Sequence, residues 1–330
     1  MADYMPFHER HLKIGAERMK GGDSRLLNAA PDTDPARAVV GAFGIPFDCG
    51  QFTNQGTSKA PIVVREMSNL YCSYRYPFDD IHDPDQVFDG GNLVPEDPSA
   101  SVKDCLENIK EQIKAQLARG TFRPVFIGGD HTLPYATIAA LSEHLGKPIS
   151  LIHIDAHWDF NNSGDDNFID DSTFLYDMIK RGYVNPEKTT QLYIRYDLHS
   201  FEPNDLIEHT DVVMAREMKE HYLKDRFASL VKELEAKMGS DEPVFISLDI
   251  DCLDMTNAPG TTYPMAGGAS NDEIIELFYQ LSKTNMNFYG GEVVEVIPDL
   301  DTPTKITCGI AANIMRNMAI LAWKAAKRRQ

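Results

Sequence analysis

Three apolar runs in this chain end directly in clustered carboxylates and imidazoles, and that repeated form restricts the fold more than any other feature. Residues 122–127 lead into Gly128-Gly129-Asp130-His131. Residues 149–154 lead into Asp155-Ala156-His157-Trp158-Asp159, and residues 244–250 carry Asp249 and continue into Asp251-Cys252-Leu253-Asp254. Short runs rich in Val, Ile and Phe read as strands covered on both faces. Polar chemistry that starts where such a strand stops belongs beyond the carboxyl edge of a parallel sheet, where open α/β sheets gather their ligands.

The rest of the chain fits that frame. Residues 38–47, 191–195 and 286–296 read as further strands. Val102, Leu106, Ile109, Ile113 and Leu117 recur at three and four, which predicts a helix over 101–119 closed by Gly120. Helices are also expected over 132–145, from a cap at Asn271 through Ile274, Ile275, Phe278 and Leu281, and over 304–329 with Lys and Arg at its end. Residues 216–238 form one long amphipathic pattern. Alternating strands and helices imply an α/β fold with helices on both sheet faces. Residues 1–37 are polar and read as an arm, and 38–330 as a single catalytic domain.

Charge narrows the partners. The formal net charge is -18 with a pI near 4.9, which argues against nucleic acid or an anionic membrane and suits a cationic substrate. The five cysteines are widely spaced with no Cys-x-x-Cys pair, so no disulfide framework is expected. The first residues lack the apolar core of a signal peptide, and no apolar run approaches a membrane span. A cytoplasmic setting is the expectation.

Asp155, His157 and Asp159 alternate with Ala156 and Trp158, and in an extended chain that spacing points three donors one way. Asp249 and Asp251 repeat the pattern, and His131 adds a nitrogen. Mixed imidazole and carboxylate donors suit Mn, Fe, Ni or Zn better than Ca or Mg. Carboxylates crowded this densely repel one another unless cations neutralise them. Two divalent ions would do so, and would lower the pKa of a shared water.

At this point the chain resembles the ureohydrolases, the family of arginases, agmatinases and relatives. The matching segments are the three above together with Ser247-Leu248, Pro259-Gly260-Thr261, Gly267-Gly268, Gly44-Ile45-Pro46-Phe47-Asp48 with Arg65, and Glu295-Val296-Ile297-Pro298. The resemblance implies a three-layer αβα fold with a mainly parallel, eight-stranded sheet, assembled as a homotrimer or hexamer. It implies one ion on His131, Asp155, Asp159 and Asp249, and a second on Asp155, His157, Asp249 and Asp251. Manganese is the family default, and nickel serves members that act on guanidine and biguanides. Glu295 matches the carboxylate that receives the guanidinium, with Glu292 the alternative. The reaction implied is attack of hydroxide on a guanidine carbon with loss of an amine.

Three departures bear on the substrate. The stretch Asp170-Asp171-Ser172-Thr173-Phe174 has no histidine where the family carries one that shuttles protons, and Asp171 is the candidate replacement. Tyr263 is bulky and would narrow a pocket or stack on a planar cation. Trp158 replaces a smaller residue, either against substrate or in the core. The loop 51–56 also lacks an Arg often found there in agmatinase-like chains. Together they favour a small or atypical guanidino compound, such as guanidine or a substituted biguanide like metformin, over arginine, with agmatine or a guanidino acid next. The rivals are a non-catalytic subunit of a mixed oligomer and a deacetylase-like metal hydrolase. Asp130 and Asp254 read as supports for the metal ligands, His153 as structural, and Cys252 as a buried thiol.

Overall fold

The computed structural model describes residues 24–50, 55–68, 74–78, 80–81, 83–162, 164–165, 167–196 and 205–329. The strands are β1 (Val40–Gly44), β2 (Tyr74–Arg75), β3 (Asp80–Ile81), β4 (Val87–Asn92), β5 (Arg123–Ile127), β6 (Ile149–Ile154), β7 (Val184–Ile194), β8 (Asp211–Met214), β9 (Pro243–Asp249) and β10 (Asn287–Val294). Eight of them form one sheet in the order β4-β1-β5-β10-β9-β6-β7-β8, and β2 and β3 make a separate antiparallel pair. Every pairing in the large sheet is parallel, so the expected mainly parallel sheet is wholly so.

Side-chain alternation builds the three layers. On β5, Val125 and Ile127 join one apolar cluster and Phe126 the other. On β9, Val244, Ile246 and Leu248 face the first cluster and Phe245 the second. Each face is thus apolar, and each must be covered. Helices Ala60–Ser68, Ala228–Met238, Asn271–Leu281 and Ile306–Lys327 supply the first cover, and Val102–Leu117, Pro134–Leu145 and Phe174–Lys180 the second. Ile306–Lys327 is long and apolar enough to cross a membrane, which the sequence reading did not anticipate, yet 78% of that window is buried within the protein.

Two expectations change, and two strands were not foreseen. The pattern over 216–238 is two helices, Ala215–Asp225 and Ala228–Met238, separated by Arg226 and Phe227 at φ 57° and 67°. No Gly or Pro marks the break; it seats the Phe227 ring in the core, where it is 0% exposed. The helix at 271 is capped by Ser270, not Asn271: the Ser270 hydroxyl accepts the Glu273 N–H and the Glu273 carboxylate accepts the Ser270 N–H. Strands β4 and β8 were not anticipated. Both lie at sheet edges and are mostly only half-buried; β4 is largely polar, Val-Phe-Asp-Gly-Gly-Asn, and β8 is only four residues long, Asp-Val-Val-Met, so burial leaves little signal there. Residues 1–23 of the expected arm lie outside the described residues, while Leu26 and Leu27 are fully buried against the first cluster.

Candidate functional site

The four central strands β5, β10, β9 and β6 are neighbours, and each releases a functional side chain at its carboxyl end. β5 leads to His131, β10 to Glu295, β9 to Asp249 and Asp251, and β6 to Asp155, His157 and Asp159. The turn after β5 needs Gly129, because a Cβ there would collide with the Phe47 carbonyl oxygen. With that space empty, the Asp130 N–H reaches the same oxygen at 2.9 Å, and the Gly129 carbonyl accepts the Glu295 N–H at 2.9 Å.

The donors converge differently from the extended chain that their spacing suggested. Asp155 is the first residue past β6, and Asp159 sits at φ 43°, so this segment curls rather than alternates. Asp249 closes β9 and Asp251 lies in the 3-10 turn Ile250–Cys252. Asp249 Oδ1 accepts the Asp251 N–H at 2.8 Å, which leaves its Oδ2 for the site.

Two clusters result. His131 Nδ1 lies 3.1 Å from Asp155 Oδ2, 2.9 Å from Asp159 Oδ2 and 3.5 Å from Asp249 Oδ2. His157 Nδ1 lies 3.5 Å from Asp155 Oδ1 and 3.0 Å from Asp251 Oδ2. Asp155 belongs to both. His131, Asp155 and Asp159, joined by His153, place ligand atoms within 4.8 Å of one another, as do Asp155, His157 and Asp251. His153 Nε2 is 2.9 Å from Asp155 Oδ2, so this histidine is structural only in the sense that it braces a site carboxylate.

Burial and mutual repulsion shift the titration of the cluster. Burial, then Asp251 and Asp155, hold Asp249 well above the ordinary carboxylate range. Burial and Asp155 raise Asp251 and Asp159. Burial, with Asp130 and Asp171 beside it, does the same to Glu295. Burial opposes charge on His157, but Asp251 and Asp155 push its pKa up to about 12. Burial likewise opposes charge on His131, and Asp155, Asp159 and Asp249 override it and hold its pKa well above the usual range. His131 Nδ1 is nonetheless buried with no well-directed hydrogen-bond partner among the described residues. Either a proton on that nitrogen or a divalent cation offsets the surrounding carboxylates, and the mixed imidazole and carboxylate donor set fits the cation.

Behind the ligands lies a support that sequence reading missed. His131 Nε2 is 2.9 Å from Ser247 Oγ, which donates to Glu292 Oε1 at 2.8 Å; Thr137 Oγ1 donates to Glu292 Oε2 at 2.7 Å. The chain fixes the His131 ring with Nδ1 toward the carboxylates. Glu292 is therefore the acid behind the site, and Glu295 is the one on the cavity. Asp130 and Asp254 hold turns instead of ligand side chains: Asp130 accepts from Gly50 N–H and Thr132, and Asp254 from Thr256 and Gly267. Cys252 is fully buried.

A cavity of about 550 Å³ opens over the cluster, lined by His131, His157, Glu295, Asp171, Trp158 and Tyr263 among others, and by no Lys or Arg among the described residues. Glu295, at φ 63°, receives the His131 N–H on Oε1 at 2.7 Å and the Thr262 hydroxyl on Oε2 at 2.6 Å. Asp171 is half-buried, and burial with Asp159, Asp130 and Asp170 around it raises its pKa to about 7. Trp158 packs with Phe160 in the core and also shows an edge to the cavity. Tyr263 is half-exposed at the mouth, its ring 5.6 Å from that of His157; Tyr196, not anticipated, sits at 5.1 Å from the same ring. The loop 51–54 lies outside the described residues.

Comparison with known proteins agrees in extent. The Arginase family model matches residues 38–321. An agmatinase of Photorhabdus laumondii is 31% identical over 306 residues, 92% of each chain. The mitochondrial arginase 1 of Oryza sativa subsp. japonica is 26% identical over 342 residues, 94% of this chain and 95% of that one. The crystal structure of a hypothetical agmatinase from Burkholderia thailandensis has a TM-score of 0.79 at 28% identity, covering 93% of both chains.

Proposed function

The chain belongs to the arginase family and is a ureohydrolase, a hydrolase of linear amidines with a binuclear metal site; from that premise we propose that its substrate is a small or atypical guanidino compound, guanidine or a substituted biguanide of the metformin type. The observation that carries this reading is the cavity wall. It offers Asp159, Asp170, Asp171, Asp249, Asp251 and Glu295, and beside the two ligand histidines no Lys or Arg among the described residues. A carboxylate tail, as in arginine or a guanidino acid, finds no Lys or Arg to pair with there, whereas a compact cation finds acids and the aromatic rings of Tyr263, Tyr196 and Trp158.

His131, Asp155, Asp159 and Asp249 would hold one divalent ion, and Asp155, His157, Asp249 and Asp251 the other. Mn2+ and Ni2+ both suit this donor set. When bound, the pair supplies an activated water and neutralises the carboxylates. Glu295 receives the guanidinium, its carboxylate aimed by the His131 N–H and the Thr262 hydroxyl. Asp171, whose pKa burial and the neighbouring acids raise to about 7 in the metal-free protein, would take the place of the absent histidine and carry a proton to the departing nitrogen. Tyr263 closes the mouth over the bound plane.

Agmatine is the second reading, favoured by the agmatinase at 31% identity and by the acids at the rim, which suit a terminal ammonium. The test is elemental analysis of the purified chain, then release of urea, guanylurea or ammonia from a guanidino panel with added Mn2+ or Ni2+. Turnover of guanidine or a biguanide at the highest kcat/KM supports the first reading. A preference for agmatine selects the second, and a preference for arginine overturns both. No turnover without a second, homologous chain would make this a subunit of a mixed oligomer.

A further inference from the structure

We infer that Arg195 is the positioning residue for the His157–Asp251 side of the cation site, through a closed ring of hydrogen bonds that no ligand motif contains. This rests on the reading that His157 and Asp251 hold a cation. Arg195 is the first residue beyond β7. Its main-chain N–H and that of Tyr196 donate to the Ala156 carbonyl at 2.9 and 3.1 Å. The Ala156 N–H donates in turn to Asp251 Oδ1 at 3.1 Å. The ring closes where Arg195 Nη2 donates to the Asp251 carbonyl at 2.7 Å.

Each link bears on a ligand. Ala156 stands between Asp155 and His157, so clamping its peptide from both sides sets the directions in which those two side chains leave the main chain. Asp251 has Oδ1 committed to Ala156, which turns Oδ2 to its position 3.0 Å from His157 Nδ1. The 3-10 turn Ile250–Cys252 is too short to satisfy all its own carbonyls. Ile250 O accepts the Leu253 N–H and Cys252 O the Ala269 N–H, while Arg195 takes the Asp251 carbonyl and adds longer bonds from Nη1 to Cys252 O at 3.4 Å and from Nη2 to Leu253 O at 3.2 Å.

The same guanidinium reaches a second loop. Nη2 donates to Met265 O at 3.2 Å and Nε to Ala266 O at 3.1 Å. Five carbonyls from two loops thus meet one planar fork. Lysine keeps the charge but brings three donors from a single point and cannot span this set. Arg195 does not line the cavity, so it acts on the site only through the residues that it holds.

The test uses the full chain stripped of metal, the variants Arg195→Lys and Arg195→Met, and Arg123→Met as the control. Arg123 is a buried arginine at the amino end of the central strand β5, away from the site, bonded to Asn287 Oδ1 at 2.9 Å and to Phe288 O. Mn2+ alone is titrated, with electron paramagnetic resonance reporting free and paired ions, beside thermal unfolding of each variant. Both Arg195 variants are expected to bind the second equivalent of Mn2+ at least about 10-fold more weakly and to lose the paired-ion signal at two equivalents, with the first equivalent retained. Arg123→Met is expected to lower the unfolding temperature and keep both equivalents. Wild-type binding of both equivalents by Arg195→Lys would overturn the inference. So would a parallel loss of both equivalents in Arg195→Met and Arg123→Met, which would mark a general structural role. Failure of the unaltered chain to bind Mn2+ would sink the cation reading itself.

Discussion

The His131 side and the His157 side of the cluster present the same donor chemistry to the same central carboxylate, Asp155, yet they are built differently. The His131 side chain is 1% exposed and is held by buried side chains, Ser247 and Glu292, with Thr137 behind them. The His157 side chain is 20% exposed, lies between the rings of Tyr196 and Tyr263, and depends on the main chain of two loops. A buried network is stiff because every broken bond leaves an unsatisfied group far from water. A turn near solvent can shift and rehydrate. The inner side is therefore suited to fixed geometry, and the outer side to adjustment.

The largest expected effect comes from the residue the two sides share. Asp155→Asn should lower kcat/KM on the order of 10³-fold, because several kcal/mol of charge stabilisation depart with the cations. Metal content should fall on both sides, and elemental analysis showing one full equivalent would break the symmetry assumed for Asp155. Ser247→Ala interrupts the support behind His131 and should weaken one equivalent by about 10–100-fold while sparing the His157 side. Two-step metal titration resolves this, and equal weakening of both equivalents would mean that the sides are not independent.

A smaller effect follows from pH. The folded-state pKa of Asp171 is raised to about 7, so in the metal-free protein its penalty is absent while the group is protonated in both states and grows as pH rises from about 4 to 7. Asp171→Asn should therefore stabilise the metal-free chain by about 1–2 kcal/mol at pH 8 and by almost nothing at pH 4. Denaturation at the two pH values reads the difference, and equal stabilisation at both would show that ionisation of the buried Asp171 carboxyl is not the cause. Smallest is Tyr263→Ala, at the outer mouth. It should raise KM about fivefold, the loss of roughly 1 kcal/mol of ring contact with a cation, with metal content unchanged. A fall in metal content would instead make Tyr263 a brace for His157.

Much of this was open to inspection before any coordinates. Runs such as Ile149–Ile154 are buried at every position and apolar at four of six because both faces are covered, so they stand out, and the acids and histidines that follow them are conspicuous by contrast. The edge strands β4 and β8 carry no such signal, since one side of an edge strand has no neighbour to bury it. The break at Arg226–Phe227 was equally hidden, because a left-handed turn made by ordinary residues leaves no mark in apolar spacing.

The order of residues along the chain was enough to determine the donor types, their grouping behind three buried strands, and the α/β layering. Tertiary structure alone decided which acids face one another. Glu292 and Glu295 are three apart in the chain, yet the first lies behind Ser247 and the second against Thr262 and the cavity. Arg195 reaches five carbonyls some 56 to 71 positions away. Sequence spacing specifies direction only within one regular element; once ligands leave the strand ends on turns, their aim is set by hydrogen bonds from distant segments.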